Sequence, residues 1–347
     1  MKNKIATAYI TLMVIIIIIA IILQYRNHKK ENNIILCFAG DTMLGRLVNK
    51  RIDKTNYAYP WGNILPILKN TDINIINLET TLSNSNKKIP KVFNFKATPD
   101  KVKSLTKASI NVVNLANNHI LDFDTEGLLE TIQTLNAAGI KHVGAGKNLE
   151  MAKKMVTIKK NGIKIGVIGY TDYPKAWAAT KEKTGTNFIQ IGSIQKIKND
   201  IKTAKKNVDI LIITIHWGPN MRQQPPKEFQ DFAHQIINAG ADIIHGHSAH
   251  IFQGVEVYKD KLIMYDTGDF VDDYKVDSLL RNDQSFLFLV TVNKTGIKKI
   301  KLIPLLISNM QVNKAEGEEK KEMIKKIKKL SAEFNTHIDK KNMIEIK

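Results

Sequence analysis

The chain has 347 residues, of which 43% are hydrophobic and 24% charged, the composition of a folded protein. Its single cysteine excludes an intramolecular disulfide scaffold and zinc modules built from several cysteines. Lys and Arg outnumber Asp and Glu by 52 to 33, and the net charge of +19 favours contact with an acidic polymer or anionic head groups. The alternative is that the excess lysines are solvated side chains without a partner. No stretch alternates basic and aromatic residues, so we expect no nucleic-acid partner.

The N-terminal segment Ile5–Leu23 has 19 residues without a charge, and basic residues flank it on both sides. About 20 apolar residues span the core of a bilayer, so the segment predicts one transmembrane helix. A cleaved signal peptide would need a shorter apolar run and a small-residue cleavage site, and the sequence has neither. A buried core helix is the other alternative. We expect residues 1–33 to form an uncleaved membrane anchor, whose orientation the flanking charges do not decide.

Eight short apolar runs follow the anchor. Most are continuous rather than alternating, as expected for strands covered on both faces. The runs are Ile34–Ala39, Ile73–Leu78, Asn111–Ala116, Ile163–Gly169, Ile210–Ile215, Ala241–Ile244, Leu262–Tyr265 and Phe286–Val292. Helix-like segments such as Thr125–Ala138 and Lys227–Ala239 separate several of them, whereas the later runs follow one another directly. The pattern predicts an α/β domain with mixed sheets over residues 34–310.

The C-terminal residues 311–347 are rich in charge and predict a closing helix with a tail. Apolar residues step through this segment by four, three and four positions, which places them on one helical face. They are Met323, Ile327, Leu330 and Phe334.

Polar side chains follow five of the predicted strands where each strand ends. They are Asp41, Glu79, Asn118 with His119, His216, and the cluster of His245, His247 and His250. Ligands of open α/β sheets bind at the carboxyl ends of the strands, so we expect these side chains to lie near one another. Carboxylate, amide and imidazole groups are the ligands used by Zn, Mn or Fe sites. The sequence therefore predicts a divalent metal site.

Each of these residues alone has an ordinary explanation. Asp41 can cap the element after its strand, Glu79 can be a solvated loop charge, and His216 can be a buried core histidine. The combination favours the metal site, because five strand ends carry side chains of the same chemical kind. His142 and His234 lack such a polar cluster, and we interpret both as structural.

Seven short motifs follow one another along the chain at these and neighbouring positions. They are Gly40-Asp41-Thr42-Met43-Leu44, Asn77-Leu78-Glu79, Asn94-Phe95-Lys96, Ala116-Asn117-Asn118-His119-Ile120-Leu121-Asp122, His216-Trp217-Gly218, His245-Gly246-His247-Ser248-Ala249-His250 and Gly268-Asp269-Phe270. Together they resemble the CapA/PgsA family of capsule biosynthesis proteins, over about residues 34–307.

The resemblance implies a calcineurin-like metallophosphatase fold, which is a four-layer α/β sandwich of two mixed sheets. It also implies an N-terminal single-pass anchor that holds the catalytic domain outside the cytoplasmic membrane. The family is associated with the synthesis or export of poly-γ-glutamate capsule. The expected partners are therefore an anionic polymer, the membrane and other capsule-synthesis membrane proteins.

The resemblance also implies roles for individual residues. The metal ligands would be Asp41, Glu79, Asn118, His216 and His247, with His250 or His245 completing the set. His119 would give or accept a proton beside one or two Mn, Zn or Fe ions, and Asp122 would orient it. Candidate substrate contacts are Lys96, Trp217 and Asp269.

Two positions depart from the metallophosphatase pattern. Met43 stands where the first motif usually has a histidine ligand, and Glu79 stands where the second motif usually has a bridging Asp. One metal position is therefore short of a ligand, and we expect nearer one tightly bound ion than two.

Three functions agree with this sequence. The first is a membrane-anchored enzyme or accessory factor that handles an anionic cell-surface polymer. The second is a metal-dependent phosphoesterase that acts on a small or lipid phosphate, and it rests on fold analogy. The third is a polymer-binding scaffold that keeps the fold without the chemistry.

Overall fold

The computed structural model describes residues 12–19 and 32–346. Residues 12–19 form a helix, α1, inside the predicted membrane segment Ile5–Leu23, and the rest of that segment lies outside the described residues. Among the helices that the structure describes, none combines the length and apolar character that crossing a bilayer requires. The chain divides between Asn33 and Ile34, at the predicted boundary between anchor and domain.

The second unit alternates strands and helices along most of its length. Its strands are β1 Ile34–Thr42, β2 Ile73–Leu78, β3 Thr81–Leu82, β4 Lys96–Ala97, β5 Ile110–Asn114, β6 Lys141–Val143, β7 Ala145–Gly146, β8 Val156–Lys160, β9 Ile163–Thr171, β10 Gly185–Thr186, β11 Ile210–His216, β12 Ile243–His247, β13 Val255–Tyr258, β14 Lys261–Met264, β15 Asp269–Val271, β16 Gln284–Asn293, β17 Gly296–Ser308, β18 Gln311–Lys314 and β19 Met343–Glu345. Its α-helices are α2 Arg46–Lys54, α3 Leu65–Lys69, α4 Val102–Lys107, α5 Asp124–Ala137, α6 Leu149–Ala152, α7 Gln195–Lys205, α8 Lys227–Ala239 and α9 Gly317–Ala332. Every predicted apolar run overlaps one of these strands.

Two large sheets organise the unit, and both are mixed. The first has the order β18-β17-β16-β1-β2-β5-β6, with β15 beside β1 and β19 beside β17. Its strands β1, β2, β5 and β6 run parallel, whereas β16 and β17 run antiparallel to their neighbours. The second has the order β13-β14-β12-β11-β9-β8, with a parallel centre and an antiparallel strand at each edge. The predicted α/β class with mixed sheets is confirmed.

Successive residues of the central strands face different cores, because side chains alternate along a strand. Leu36 of β1 and Ile212 of β11 belong to one apolar core that both sheets share. Cys37 packs instead with helices α2 to α5, and Leu211 packs with α7 and α8. The layers therefore run helix, sheet, sheet, helix, and both faces of each sheet are buried, which explains the continuous apolar runs.

The C-terminal segment is part of this same unit. Strands β18 and β19 both pair with β17, and Met323, Ile327 and Leu330 of α9 enter the core that lies between the sheets. The predicted closing helix is α9, and residues 311–346 pack in the same unit as residues 34–310.

Candidate metal centre

The centre forms where parallel strands of both sheets end. Asp41 is the penultimate residue of β1, and Glu79 directly follows β2. His216 and His247 are the final residues of the paired strands β11 and β12, where they stand in register. Since both sheets share one core, the ends of these four strands converge on a single buried region, and Asp41, Glu79 and His247 have no solvent-exposed surface.

Close backbone packing explains the glycines of two motifs. A Cβ atom at Gly40 would lie 1.7 Å from the carbonyl oxygen of Gly268, and one at Gly246 would lie 2.1 Å from that of Tyr265. Both separations are far below van der Waals contact, so only glycine fits at these two points. The glycines let neighbouring strands approach closely enough for Asp41 and the histidines of β12 to meet.

Asp41, His216 and His247 form the first group that can hold a cation. One ligand atom of each lies within 4.8 Å of the others. The Nδ1 atoms of the two imidazoles are 3.0 Å apart, and they lie 3.9 and 3.7 Å from Oδ1 of Asp41. Two ring nitrogens and a carboxylate oxygen thus point at one small volume.

Asp41 is also part of a second group, with Glu79 and His250. Nδ1 of His250 lies 3.3 Å from Oδ2 of Asp41 and 2.8 Å from Oδ1 of Asp269. Because one carboxylate serves both groups, the structure offers two adjacent cation positions that share Asp41. His250, one of the two histidines expected to complete the ligand set, is the imidazole of this second group.

Two buried oxygens in this region lack a hydrogen-bond partner among the described residues. They are Oε1 of Glu79 and Oδ2 of Asp269, and both residues are fully buried. An unpartnered buried carboxylate oxygen is costly, and a bound cation removes that cost. The orphaned oxygens and the mixture of carboxylates and imidazoles therefore fit a divalent metal.

The histidine protonation states also suit metal binding. Burial lowers the pKa of His216 to about 3 and holds the pKa of His247 well below its usual value. Both rings are thus neutral at pH 7, which is the form that coordinates metals. For Asp41, burial would raise the pKa, but the hydrogen bond from His250 and the nearby imidazoles lower it below its ordinary value.

His250 differs from the other two histidines in its charge. Burial opposes its protonation, yet the adjacent Asp269 carboxylate, assisted by Asp41 and Glu79, raises its pKa well above the usual value. Without a metal, the imidazolium of His250 therefore neutralises this acidic region. A cation that binds here must displace that proton.

Asn118 contacts the first group through His216. Its Oδ1 accepts a hydrogen bond from Nε2 of His216, at 3.0 Å. A proton on Nε2 leaves the lone pair of Nδ1 free to face Asp41 and His247. In this structure Asn118 thus orients a histidine of the group, as a supporting residue of a metal ligand does.

Asn77 joins the acidic residues; it was named within a sequence motif but assigned no role. Its Nδ2 donates to Oδ1 of Asp41 at 2.7 Å and to Oε2 of Glu79 at 3.3 Å. Its Oδ1 accepts from Asn114 and Asn117, at 3.0 and 3.1 Å. The signal was available, because Asn77 stands two residues before Glu79 and side chains two apart share one face of a strand.

His119 and Asp122 form a pair at the edge of the centre. Nδ1 of His119 donates to Oδ2 of Asp122 at 2.6 Å, and Nε2 lies 3.7 Å from Oε1 of Glu79. Burial lowers the pKa of His119, although Asp122 opposes this shift. Lys91 also reaches the pair, since its Nζ donates to Oδ1 of Asp122 at 2.9 Å and to the backbone carbonyl of Asn118. No sequence motif pointed to Lys91.

The comparison with known proteins identifies the family. Residues 35–274 match the family described as "Bacterial capsule synthesis protein PGA_cap". The chain belongs to this family.

Its relatives carry names of the same kind. The chain is 31% identical over 328 residues to a "Probable polyglutamine synthesis accessory protein" of Mycobacterium tuberculosis, covering 89% of this chain and 86% of that one. It is 32% identical to "Capsule biosynthesis protein CapA" of Bacillus anthracis, over 81% of this chain and 69% of that one. It is 30% identical to "PGA biosynthesis protein CapA" of Bacillus subtilis, over 77% and 70%. The CapA/PgsA resemblance is thereby confirmed.

A solved structure of a hypothetical protein from Thermus thermophilus is similar with a TM-score of 0.43 and 13% identity, over 81% of this chain and 100% of that one. A TM-score in this range does not establish a common fold.

In this PGA_cap domain, the remaining predicted residues lie as follows. The ring of His245 is outside both groups: its Nε2 donates to the backbone carbonyl of Ala39 at 3.0 Å, and its Nδ1 faces the hydroxyl of Thr214 at 3.2 Å. Trp217 is 4% exposed, and its Nε1 donates to the carbonyl of Tyr265 at 2.9 Å. The structure thus places Trp217 in the core and not at a surface open to a substrate.

The other two predicted substrate contacts also have protein partners. Nζ of Lys96 donates to the carbonyl of Ser85 at 2.6 Å and to Oδ1 of Asn86 at 3.1 Å. Asp269 is buried beside His250, inside the centre itself. Asp269 is therefore better placed to support a metal group than to meet a polymer.

The two histidines that were interpreted as structural have other neighbours. His142 is in β6, and His234 of α8 pairs with Glu256 at 2.8 Å. Neither belongs to a group of the described residues that could hold a metal.

Proposed function

We propose that this chain is an accessory protein in the synthesis, export or anchoring of an anionic cell-surface polymer of the poly-γ-glutamate type, with a metal-dependent hydrolase-like site that acts on the polymer. Membership of the PGA_cap family and the names of three relatives support the polymer. The single observation that supports the site is the carboxylate of Asp41, which two buried groups share at the ends of the central strands. The layer order supports a metallophosphatase type of architecture.

The residues divide between two cation positions. Asp41, His216 and His247 would hold one divalent ion, and Asp41, Glu79 and His250 a second. Zn, Mn and Fe suit these ligands, since imidazole and carboxylate groups occur together in their sites. A divalent ion held there supplies Lewis acidity toward a carbonyl or phosphoryl oxygen.

His119 is the group placed to move a proton. The hydrogen bond to Asp122 fixes a proton on Nδ1, so Nε2 presents its lone pair toward the Glu79 side of the centre. Because burial keeps the ring neutral, proton acceptance at Nε2 is the role that the geometry supports. Lys91 and Asp122 hold the imidazole in this orientation.

Charge and the N-terminal segment complete the proposal. The net charge of +19 attracts a polyanion and so concentrates it near the domain. The uncharged stretch over positions 5–23 would anchor the chain in the cytoplasmic membrane, with the domain on the outer side, beside other capsule-synthesis membrane proteins.

Metal analysis combined with two substrates tests this function. The purified full-length chain is analysed for bound Zn, Mn and Fe and then assayed with a γ-linked glutamate oligomer and with an aryl phosphate. We expect bound metal and metal-dependent cleavage of the γ-linked oligomer. Asp41→Ala should lose both metal positions and the cleavage, whereas His234→Ala should keep them.

Other outcomes select the alternatives. Cleavage of the aryl phosphate alone would replace the proposal with a phosphoesterase. Bound metal without hydrolysis of either substrate, together with binding of the oligomer, would identify a scaffold. Absence of metal from a folded, unmodified chain would refute the hydrolase-like site.

A further inference from the structure

A cavity of about 580 Å³ opens beside the first group of the metal centre. Three residues of that region contribute to its wall, namely Asn118, His216 and Ser248. Most of the remaining wall comes from the loop between β11 and α8 and from the residues that follow β9. A molecule in this cavity lies next to the first cation position, so the charges of the lining decide which substrates can reach the centre.

The lining carries charges of both signs. Among the described residues that line the cavity, Arg222 is the one with a positive charge at pH 7, since burial keeps His216 neutral. Asp172 and Glu228 contribute two carboxylates. The guanidinium of Arg222 makes no ion pair or hydrogen bond with a described residue, although both carboxylates line the same cavity. A ligand that carries charges of both signs can therefore meet partners of both signs here.

Hydrogen bonds hold the backbone at Arg222 against the segment between β12 and β13. The carbonyl of Arg222 accepts from Nε2 of the buried Gln253 at 2.7 Å. The N–H of Met221, one residue earlier, donates to the carbonyl of Ala249 at 2.8 Å. This segment directly follows the histidines of β12, so the fold itself sets the position of Arg222 relative to the metal centre.

Asp172 is fixed by backbone contacts on the other side of the same loop. Its Oδ2 accepts a hydrogen bond from the N–H of Gly218 at 3.1 Å, and its own N–H donates to the carbonyl of His216 at 3.2 Å. Its Oδ1 has no hydrogen-bond partner among the described residues, and it keeps accessible surface, unlike the unpartnered oxygens of Glu79 and Asp269. This oxygen is therefore available to a donor that enters the cavity.

These charges discriminate between the parts of a γ-linked glutamate chain. A residue inside the chain carries an α-carboxylate alone, because its nitrogen belongs to an amide, and the carboxylates of Asp172 and Glu228 repel it. The residue at the free amino end carries an α-ammonium group beside its α-carboxylate. Its methylene groups suit the apolar part of the wall, which includes Pro219 and Phe229.

We propose that this cavity binds the free amino end of a γ-linked glutamate chain, with Arg222 as the partner of the α-carboxylate and Asp172 as the partner of the α-ammonium group. The planar fork of an arginine suits a carboxylate in particular. The inference rests on the proposed function, since the polymer class is taken from it. It makes the centre selective for the chain end over internal bonds.

Ligand-observed NMR titration of the full-length chain with three small molecules tests the cavity. Glutamine, used as both enantiomers, has the two charges and the γ-amide of the chain end. Glutaramate lacks the ammonium group, and 4-aminobutanamide lacks the carboxylate. Burial raises the pKa of Asp172 to about 6, so pH 7.5 keeps this carboxylate ionised. We expect a dissociation constant of about 1 mM or tighter for one glutamine enantiomer, and at least about tenfold weaker binding of the other two compounds.

Two variants should give opposite patterns. Arg222→Gln should weaken binding of glutamine and glutaramate about tenfold or more and leave 4-aminobutanamide unchanged. Asp172→Asn should weaken glutamine and 4-aminobutanamide and leave glutaramate unchanged. A variant that fails to fold would lose all three ligands, and melting curves identify it. Arg51→Gln and Asp200→Asn are the matched controls, because they remove the same charges from side chains outside the lining and should bind like the unmodified chain.

Three results of the titration would overturn the inference. They are a dissociation constant for both glutamine enantiomers above about 10 mM, equal affinity for all three compounds, and unchanged glutamine binding by Arg222→Gln with a normal melting curve.

Hydrolysis separates this inference from the proposed function. The γ-linked oligomer is assayed with a free amino end and with an N-acetylated end, and we expect the free form to react at least about tenfold faster. Equal hydrolysis of both forms would overturn the inference and leave the proposed function in place. The expected binding pattern without any hydrolysis would support the inference and refute the hydrolase.

Discussion

Asp122 offers the sharpest test of how the edge of the centre is held together. It accepts three hydrogen bonds: from Nδ1 of His119 at 2.6 Å, from the backbone N–H of Phe95 at 2.7 Å, and from Nζ of Lys91 at 2.9 Å. The first two reach Oδ2 and the third reaches Oδ1. In Asp122→Asn the amide oxygen can replace only one carboxylate oxygen, so one donor must face an NH₂ group.

The expected cost follows from these contacts. If the amide oxygen stays with His119 and Phe95, the NH₂ group faces the ammonium of Lys91, and that bond is lost. Its contribution is discounted to about 1 kcal/mol because the Lys91 side chain is one-quarter exposed. The other two bonds lose a charged acceptor, at about 1 kcal/mol each. We expect the free energy of unfolding to fall by about 3 kcal/mol.

Urea denaturation of the metal-free protein in chelator measures this loss without a contribution from metal binding. Glu126→Gln makes the same chemical change at an exposed carboxylate whose partner is Lys87, and it should cost about 0–1 kcal/mol. A loss for Asp122→Asn no larger than that of Glu126→Gln would refute the reasoning. It would show that Asp122 orients His119 without contributing to the free energy of unfolding.

Four further predictions follow from the site and the sequence. Asp41→Ala should lower bound metal more than any other single substitution because both groups share this carboxylate, and metal content equal to that of the control His142→Ala would contradict the shared position. His119→Ala should retain metal yet lower the hydrolytic rate by about 10²–10⁴-fold, and unchanged turnover would remove its proposed proton-transfer role. Burial lowers the pKa of His216 to about 3, while an unfolded histidine titrates near about 6.5. Between these values the unfolded state binds more protons, so the metal-free protein should lose stability as the pH falls from about 6.5 toward about 3, and urea curves of His216→Gln should show a weaker dependence. The full-length chain should stay in the membrane fraction after carbonate washing, whereas a chain without residues 1–30 should be released, and release of both would refute the anchor.

The strands and the chemistry of their ends could be predicted from the sequence. Each continuous apolar run overlaps a strand, because strands buried on both faces need apolar side chains at successive positions. Polar residues directly after these runs had to lie at strand ends, and parallel strands bring their ends to one edge. This is why Asp41, Glu79, His216 and His247 could be proposed together before their distances were known.

The alternation of side chains along a strand also distinguishes residues that stand next to one another in a motif. Trp217 follows His216 by one position, so its side chain faces the opposite side of the sheet. There it packs in the apolar core that contains residues of α7 and α8. His245 and His247 share one face, but His245 lies two residues deeper in β12, against the carbonyl of Ala39. Being adjacent in a motif therefore did not make these residues equivalent in the site.

Only the tertiary structure decided which polar groups meet. The sharing of Asp41 between two groups, the contact of Lys91 with Asp122 across 31 positions, and the unpartnered oxygen of Glu79 depend on side chains from separate elements. Sequence periodicity specifies which face of a strand or helix a side chain occupies, and it acts over a few residues. The distance between two faces is set by how the sheets and loops pack, and metal positions, hydrogen bonds and orphaned acceptors depend on that distance to within about 1 Å.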